Sequence, residues 1–206
     1  MSKTTSPQKI WDWFLENQEK YKSFPSLEPE KQESLEEEFL KVIHSFDDGL
    51  FFEIDEEESG LSLTITAEGD ADLFPKVDEL VGIAPEIEGW EIHNLRQPLG
   101  PEVISEYEDL LFDPDETIFI PLANEADPFA VGIEVCYDNY EKGKHEDLLI
   151  GTFMMLDTVI GEKSTALDVD YVAVRKTPKD IDKLEFQYIS ELAEYIAEVK
   201  GRKVDD

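Results

Sequence analysis

Residues 61–94, LSLTITAEGDADLFPKVDELVGIAPEIEGWEIHN, carry the local signals that decide the fold. Apolar and polar side chains alternate over 61–67, which is the period of a strand with one buried face. Asp70 or Asp72 then offers an N-cap for a helix that runs to about Ala84. The apolar side chains of that helix share one face, and they are Leu73, Phe74, Val77, Leu80 and Val81. The segment therefore predicts a strand followed by an amphipathic helix.

Further strands lie on both sides of this segment. Residues 50–55 form a strand that pairs with 61–67 through an acidic turn, and another strand runs from Trp90 to about Gln97. Residues 50–97 therefore read strand, strand, helix, strand.

The same order of elements returns over residues 116–176. Strands are predicted at 117–122 and 129–137, a long amphipathic helix from about His145 to Ile160, and a last strand at 167–176. The two halves share element order and little side-chain identity.

Helices flank the two strand-strand-helix-strand units. Residues 5–48 contain two amphipathic helices, 178–200 read as a C-terminal helix, and 103–112 read as a short helix in an irregular segment. We therefore expect a single α+β domain over residues 1–206. Its core would be a mainly antiparallel sheet of about six strands, built from the two units, with the helices mostly on one face.

Two tryptophans lie two residues apart on the first helix, so they point to different sides of it. We expect Trp13, with Phe14, to reach the core. Trp11 is expected either to pack against a neighbouring element or to lie on the surface.

Acidic residues dominate the charge of the chain. It has 50 Asp and Glu against 18 Lys and Arg, so its formal net charge is -32 over 206 residues. Such a chain repels a phosphate backbone and an anionic membrane surface, which argues against nucleic acid and membranes as partners. Two interpretations of the charge stay open. It provides solubility, including in a salt-rich habitat, or it forms an acidic surface that docks on a basic protein or mimics nucleic acid.

The cellular compartment is predicted from the cysteine content and the apolar runs. Cys136 is the single cysteine, which excludes an intramolecular disulfide and a CxxC zinc site. Residues 1–8 are polar and lack the apolar core of a secretory signal, and no apolar run approaches the ~20 residues of a membrane span. We therefore predict a cytoplasmic protein, and both a monomer and a homodimer stay open.

Two groups of residues carry a resemblance: Trp11, Trp13, Phe14 and Asn17 near the N-terminus, and Gly69, Asp70, Phe74, Pro75, Ala84, Pro85, Gly89 and Trp90 in the segment quoted above. In these residues the chain resembles an uncharacterised family of bacterial cytoplasmic proteins of unknown function. The resemblance covers about half of the chain and fades beyond Pro98. It implies a bacterial cytoplasmic origin, and it implies no activity, ligand or catalytic residue.

Catalytic and metal-binding signatures do not occur in the sequence. There is no GxSxG, no P-loop, no GxGxxG, no HExxH and no EF-hand spacing. We therefore predict no catalytic residue, no cofactor and no dedicated metal site.

Some polar side chains are predicted to point to the same face of a sheet, because they occupy alternate positions of the strands. These side chains are the candidates for a small-ligand site. His93 and Glu91 are two residues apart on one strand, so they point to the same face. The candidates are Thr64, Thr66, Glu91, His93, Glu134 and Cys136. Their pocket would lie between a polar sheet face and the irregular segment 98–115. If the strand register allowed it, Cys136 and His93 would form a Cys-His pair, which is one known catalytic arrangement.

Three functions follow from these patterns. The first is a non-enzymatic interaction or regulatory protein whose acidic surface binds, and in the sharpest version neutralises, a basic partner protein. The second is a small-ligand-binding domain with its pocket on the polar sheet face. The third is an enzyme whose catalytic residues are scattered along the sequence.

Overall fold

The computed structural model describes residues 5–57 and 60–201. This part of the chain contains five α-helices and nine β-strands in three sheets, so the expected mixture of helices and mostly antiparallel strands is confirmed. The expected single sheet of about six strands is wrong, because the strands form separate sheets of three, two and four. Residues 58 and 59 of the predicted acidic turn lie outside the described residues.

Contacts divide the chain into two compact units, Met1–Arg96 and Gln97–Asp206. The boundary falls where the first strand-strand-helix-strand unit was predicted to end. That the two units make one domain stays a prediction.

The first unit has three helices and three strands: α1 (Pro7–Asn17), α2 (Pro29–Ile43), β1 (Phe51–Glu57), β2 (Gly60–Thr66), α3 (Phe74–Val81) and β3 (Trp90–Asn94). The sheet order is β1-β2-β3. β1 and β2 are antiparallel, whereas β2 and β3 are parallel because α3 returns the chain to the same end of the sheet. As predicted, Asp70 caps the start of the helical segment by accepting a hydrogen bond from the Asp72 amide at 3.0 Å.

Aromatic rings from the first two helices form the core of this unit. Phe14 of α1 and Phe39 of α2 are fully buried, with ring centroids 5.1 Å apart. Phe39 also packs on Phe52 of β1 at 4.7 Å, and Phe14 meets Trp90 of β3 edge to face at 5.2 Å. The rings therefore cover the apolar face of the sheet and hold β3 at the position where it begins.

The second unit follows with six strands and two helices: β4 (Ser105–Tyr107), β5 (Leu110–Phe112), β6 (Ile118–Leu122), β7 (Gly132–Tyr137), α4 (His145–Asp168), β8 (Tyr171–Lys176), β9 (Gln187–Tyr188) and α5 (Leu192–Val199). Its larger sheet has the order β8-β7-β6-β9. β6 and β7 are antiparallel, and β7 and β8 are parallel on either side of α4. The repeat of element order is thus also a repeat of strand pairing.

The long helix α4 is interrupted at one residue. Gly161 has φ 79° and ψ 152°, outside the helical region, so the first straight segment ends at Ile160 as the sequence predicted. Glycine tolerates this backbone conformation because it has no Cβ.

Two helix predictions in the second unit are wrong. Residues 103–112 form the β4–β5 hairpin, in which Tyr107 pairs with Leu110. Within 178–200 the α-helix begins only at Leu192, because Gln187 and Tyr188 pair with the edge of β6. Sheet pairing competes with local helical periodicity for the same backbone groups and prevails at both places.

The helices were also compared with the dimensions of a lipid bilayer. Of those that the structure describes, none combines the length and the apolar character needed to cross a membrane.

Candidate functional site

One face of the β1–β2–β3 sheet carries a regular array of polar side chains. Thr64 of β2 pairs with Glu53 of β1 on one side and with His93 of β3 on the other. One step along, Ser62 pairs with Asp55 and with Glu91 in the same way. Because side chains two residues apart share a face, all of these groups point to the same side of the sheet. In the structure, Thr64, Glu91 and His93 therefore lie on one face of the sheet, where the alternation of the strands predicted them.

The threonines of β2 lie at the buried centre of this face. Thr64 and Thr66 are both buried, whereas the glutamates on the neighbouring strands reach solvent. The Thr66 hydroxyl accepts a hydrogen bond from the Glu68 amide at 2.9 Å, which ties it to the turn after β2. Thr66 thus stabilises a turn, and the charged groups around Thr64 form the accessible part of the face.

Two glutamates and a histidine meet at one end of this face. His93 Nε2 lies 3.6 Å from Glu57 Oε1 and 3.9 Å from Glu91 Oε2. One ligand-type atom from each residue lies within 4.8 Å of the other two. With metal–ligand bonds of ~2.0–2.2 Å, such separations suit three ligands of one divalent ion. An imidazole nitrogen with two carboxylate oxygens fits zinc, manganese or iron.

Glu57 was not among the residues selected from the sequence. The first strand was predicted to end at Asp55, whereas β1 continues to Glu57. Glu53, Asp55 and Glu57 follow the two-residue period of the strand, and this period is the signal that identifies Glu57 once the strand is extended.

Negative charge accumulates along β1. Glu53 is paired with Arg96, whose Nη2 lies 2.7 Å from Glu53 Oε1. Asp55 lies between Glu53 and Glu57, and its pKa is raised by burial and by the charges of these two neighbours. Three carboxylates thus follow one another on the same face of β1, and one of them, Glu53, is paired with a guanidinium.

Glu134 and Cys136 lie elsewhere, on β7 in the second unit. Glu134 Oε2 accepts a hydrogen bond from Arg175 Nη1 at 2.6 Å. Cys136 is buried, its Sγ lies 3.7 Å from the Glu134 carbonyl oxygen, and burial together with the Glu134 charge raises its pKa to about 11. The thiol is therefore protonated at neutral pH, which makes it a poor nucleophile. The six candidates thus belong to two sheets, and the polar face of the first holds Thr64, Thr66, Glu91 and His93.

An open groove of about 640 Å³ lies on the other side of β3, where α3 leads into that strand. Its apolar lining comes from Val81, Ala84, Pro85, Ile87, Trp90 and Ile92. Two further lining residues, Glu86 and Glu88, are exposed. This groove was not predicted from the sequence, which indicated a pocket against 98–115. Periodicity identifies apolar residues, and it does not show whether they leave an open space between them when the chain folds.

The chain was compared with family models, curated proteins and solved structures, and none of the three comparisons gives a match. The resemblance to an uncharacterised bacterial family therefore stays a prediction, and function is inferred from the residues themselves.

Proposed function

We propose that this protein is a non-enzymatic interaction protein of a bacterial cytoplasm that uses its acidic surface to bind a basic partner protein. The observation that carries the proposal is the row Glu53, Asp55 and Glu57 on β1, extended across the sheet by Glu91. The row holds four carboxylates, and burial together with the charges of Glu53 and Glu57 raises the pKa of Asp55. The net charge of -32 adds a field of the same sign over the rest of the surface.

The strands hold these carboxylates at fixed spacings. Residues two apart on a strand are ~6.5–7 Å apart along it, and adjacent strands are ~5 Å apart. A lysine- or arginine-rich surface therefore meets carboxylates whose backbone positions are set by the sheet. Such binding is expected to be fast and to weaken strongly with salt.

A titration with poly-L-lysine tests the proposal, with a neutral polypeptide as the reference. The triple variant Asp55→Asn, Glu57→Gln, Glu91→Gln removes charge from the sheet face. The matched control, Glu33→Gln, Glu36→Gln, Glu37→Gln, removes the same charge from exposed positions of α2. We expect the face variant to bind about tenfold more weakly than the control variant. An affinity that does not change with salt concentration, or an equal loss of affinity in the two variants, would contradict the proposal.

A second candidate function is the binding of a small cation on the same face. The juxtaposition of Glu57, Glu91 and His93 within 4.8 Å favours it, because these residues offer a mixed nitrogen and oxygen ligand set. Calorimetric titration with Zn²⁺ or Mn²⁺ should show one site that His93→Ala removes. His145→Ala is the matched control, since His145 is exposed and lies in the other unit. Equal heats for the two variants would contradict a site at His93.

A further inference from the structure

The groove between α3 and β3 combines an apolar floor with an acidic rim. Residues 85–88 alternate Pro, Glu, Ile, Glu. Ile87 is buried whereas Glu86 and Glu88 are exposed, so the connection places its apolar side chains inward and its carboxylates outward. Groove floor and rim are therefore built by the same short stretch of chain.

The carboxylates at the rim are those of Glu86 and Glu88. Among the residues that the structure describes, no Lys, Arg or His nitrogen lies within ion-pair distance of Glu86 or Glu88. Both glutamates are exposed beside the groove, so their charges are accessible to a cationic partner, and the attraction is screened by salt.

Trp90 adds an aromatic ring to the wall of the groove. It lines the groove and is 7% exposed. In the described part of the chain, its indole Nε1 is the one buried side-chain nitrogen or oxygen without a hydrogen-bond partner. Because this nitrogen is buried, Trp90 offers its ring and not a hydrogen-bond donor to an occupant of the open groove.

We propose that this groove is the docking site for a basic segment of the partner protein, one that places an apolar side chain on the groove floor and lysine or arginine side chains against Glu86 and Glu88. The inference rests on the proposed function and specifies the partner. The volume of about 640 Å³ accommodates a large side chain with its flanking backbone, and the open shape suits an extended segment. The apolar anchor supplies affinity, while the charges supply selectivity for basic sequences.

Two labelled peptides of equal charge test this assignment. Both are short and rich in lysine and arginine, and one has a central leucine where the other has a serine. By fluorescence anisotropy with the full chain, we expect the leucine peptide to bind about tenfold more tightly, because its side chain leaves water on binding. Glu86→Gln combined with Glu88→Gln should weaken both peptides and reduce the salt dependence.

A substitution that fills the groove with a larger side chain provides a second test of the assignment. Ala84→Phe should remove the preference for leucine while leaving binding of the serine peptide unchanged. The control is Ile83→Phe, because Ile83 is next in sequence, 47% exposed and outside the lining. Thermal unfolding of both variants verifies that they fold.

The outcomes separate this inference from the proposed function. Equal, salt-sensitive binding of both peptides would overturn the groove assignment and leave the acidic interaction protein standing. Failure of both peptides to bind would overturn both. Self-association that Ala84→Phe abolishes, without a preference between the peptides, would assign the groove to a second copy of the chain and overturn the basic segment.

Discussion

The indole Nε1 of Trp11 donates a hydrogen bond to the carbonyl oxygen of Leu80 at 2.8 Å, which joins α1 to the last turn of α3. Leu80 is one of the last residues of α3, whose carbonyls have no partner within the helix. Trp11 is fully buried, whereas Trp13 is partly exposed and stacks on Phe39 at 5.4 Å. Phe14 reaches the core as expected, whereas Trp13 is only partly buried against the core ring of Phe39. Of the two positions expected for Trp11, packing against a neighbouring element is confirmed.

Trp11→Phe should lower the free energy of unfolding by about 2–4 kcal/mol, because it removes buried surface and leaves the Leu80 carbonyl without its donor. Urea denaturation measures the change. Trp13→Phe is the control and should cost less than about half as much, since the Trp13 ring is partly exposed. Equal costs would contradict a special role for the bond to Leu80.

Gly151→Ala should destabilise the protein although alanine is the better helix former. Helix propensity alone predicts a gain of about 0.5–1 kcal/mol in α4. A Cβ at residue 151 would overlap the ring of Phe112, which is fully buried on β5. We expect a net loss of about 1–3 kcal/mol by urea denaturation.

Two further variants check this explanation. Gly143→Ala has open space around the new Cβ and should change stability little. Adding Phe112→Leu to Gly151→Ala should cost less than the sum of the two single changes, since the smaller side chain makes room. Strict additivity would show that the ring of Phe112 is not what restricts residue 151.

Asp55→Asn should stabilise the protein at neutral pH. The pKa of Asp55 is raised above its ordinary 3.8 in the folded protein by burial, Glu53 and Glu57, so the folded state binds this proton more tightly than the unfolded state does. Ionised Asp55 therefore costs stability at neutral pH, and this cost is lost as the pH falls below 3.8, where both states are protonated.

Urea midpoints of Asp55→Asn and the wild-type chain, measured across pH, test this directly. The variant should have the higher midpoint at neutral pH, and the difference should vanish in acid and shrink with salt. Asp48→Asn, at an exposed position after α2, is the matched control. A gain that persists below 3.8 would show that charge is not its cause.

Cys136 should be nearly inert towards thiol reagents in the folded protein. With its pKa raised to about 11 by burial and Glu134, the thiolate fraction at neutral pH is about a hundredfold smaller than for an ordinary cysteine. Labelling with iodoacetamide should therefore be at least about a hundredfold slower in the folded chain than in urea. Comparable rates would contradict the burial of this thiol.

Strand phase predicted the polar face of the first sheet because alternation is a local property. Thr64, Glu91 and His93 were assigned to one face from their positions in the sequence, and the register of β2 with β3 places Thr64 beside His93. The same reasoning placed Glu134 and Cys136 in the same site, and that prediction is wrong because both residues lie in another sheet. Alternation shows to which side of its strand a side chain points, and it does not show which sheet the strand joins.

Local sequence patterns account for the element order, the repeat of strand, strand, helix and strand, the end of the first part of α4 at Ile160, and the acidic composition. Each of these depends on period, capping or composition, which neighbouring residues encode. Long-range contacts account for the three sheets, for the pairing of Gln187 and Tyr188 with β6 instead of a longer helix, and for the approach of Glu57 to His93. These outcomes depend on pairing between residues far apart in the chain, where the packing and hydrogen bonding of one arrangement outweigh the local preference for another.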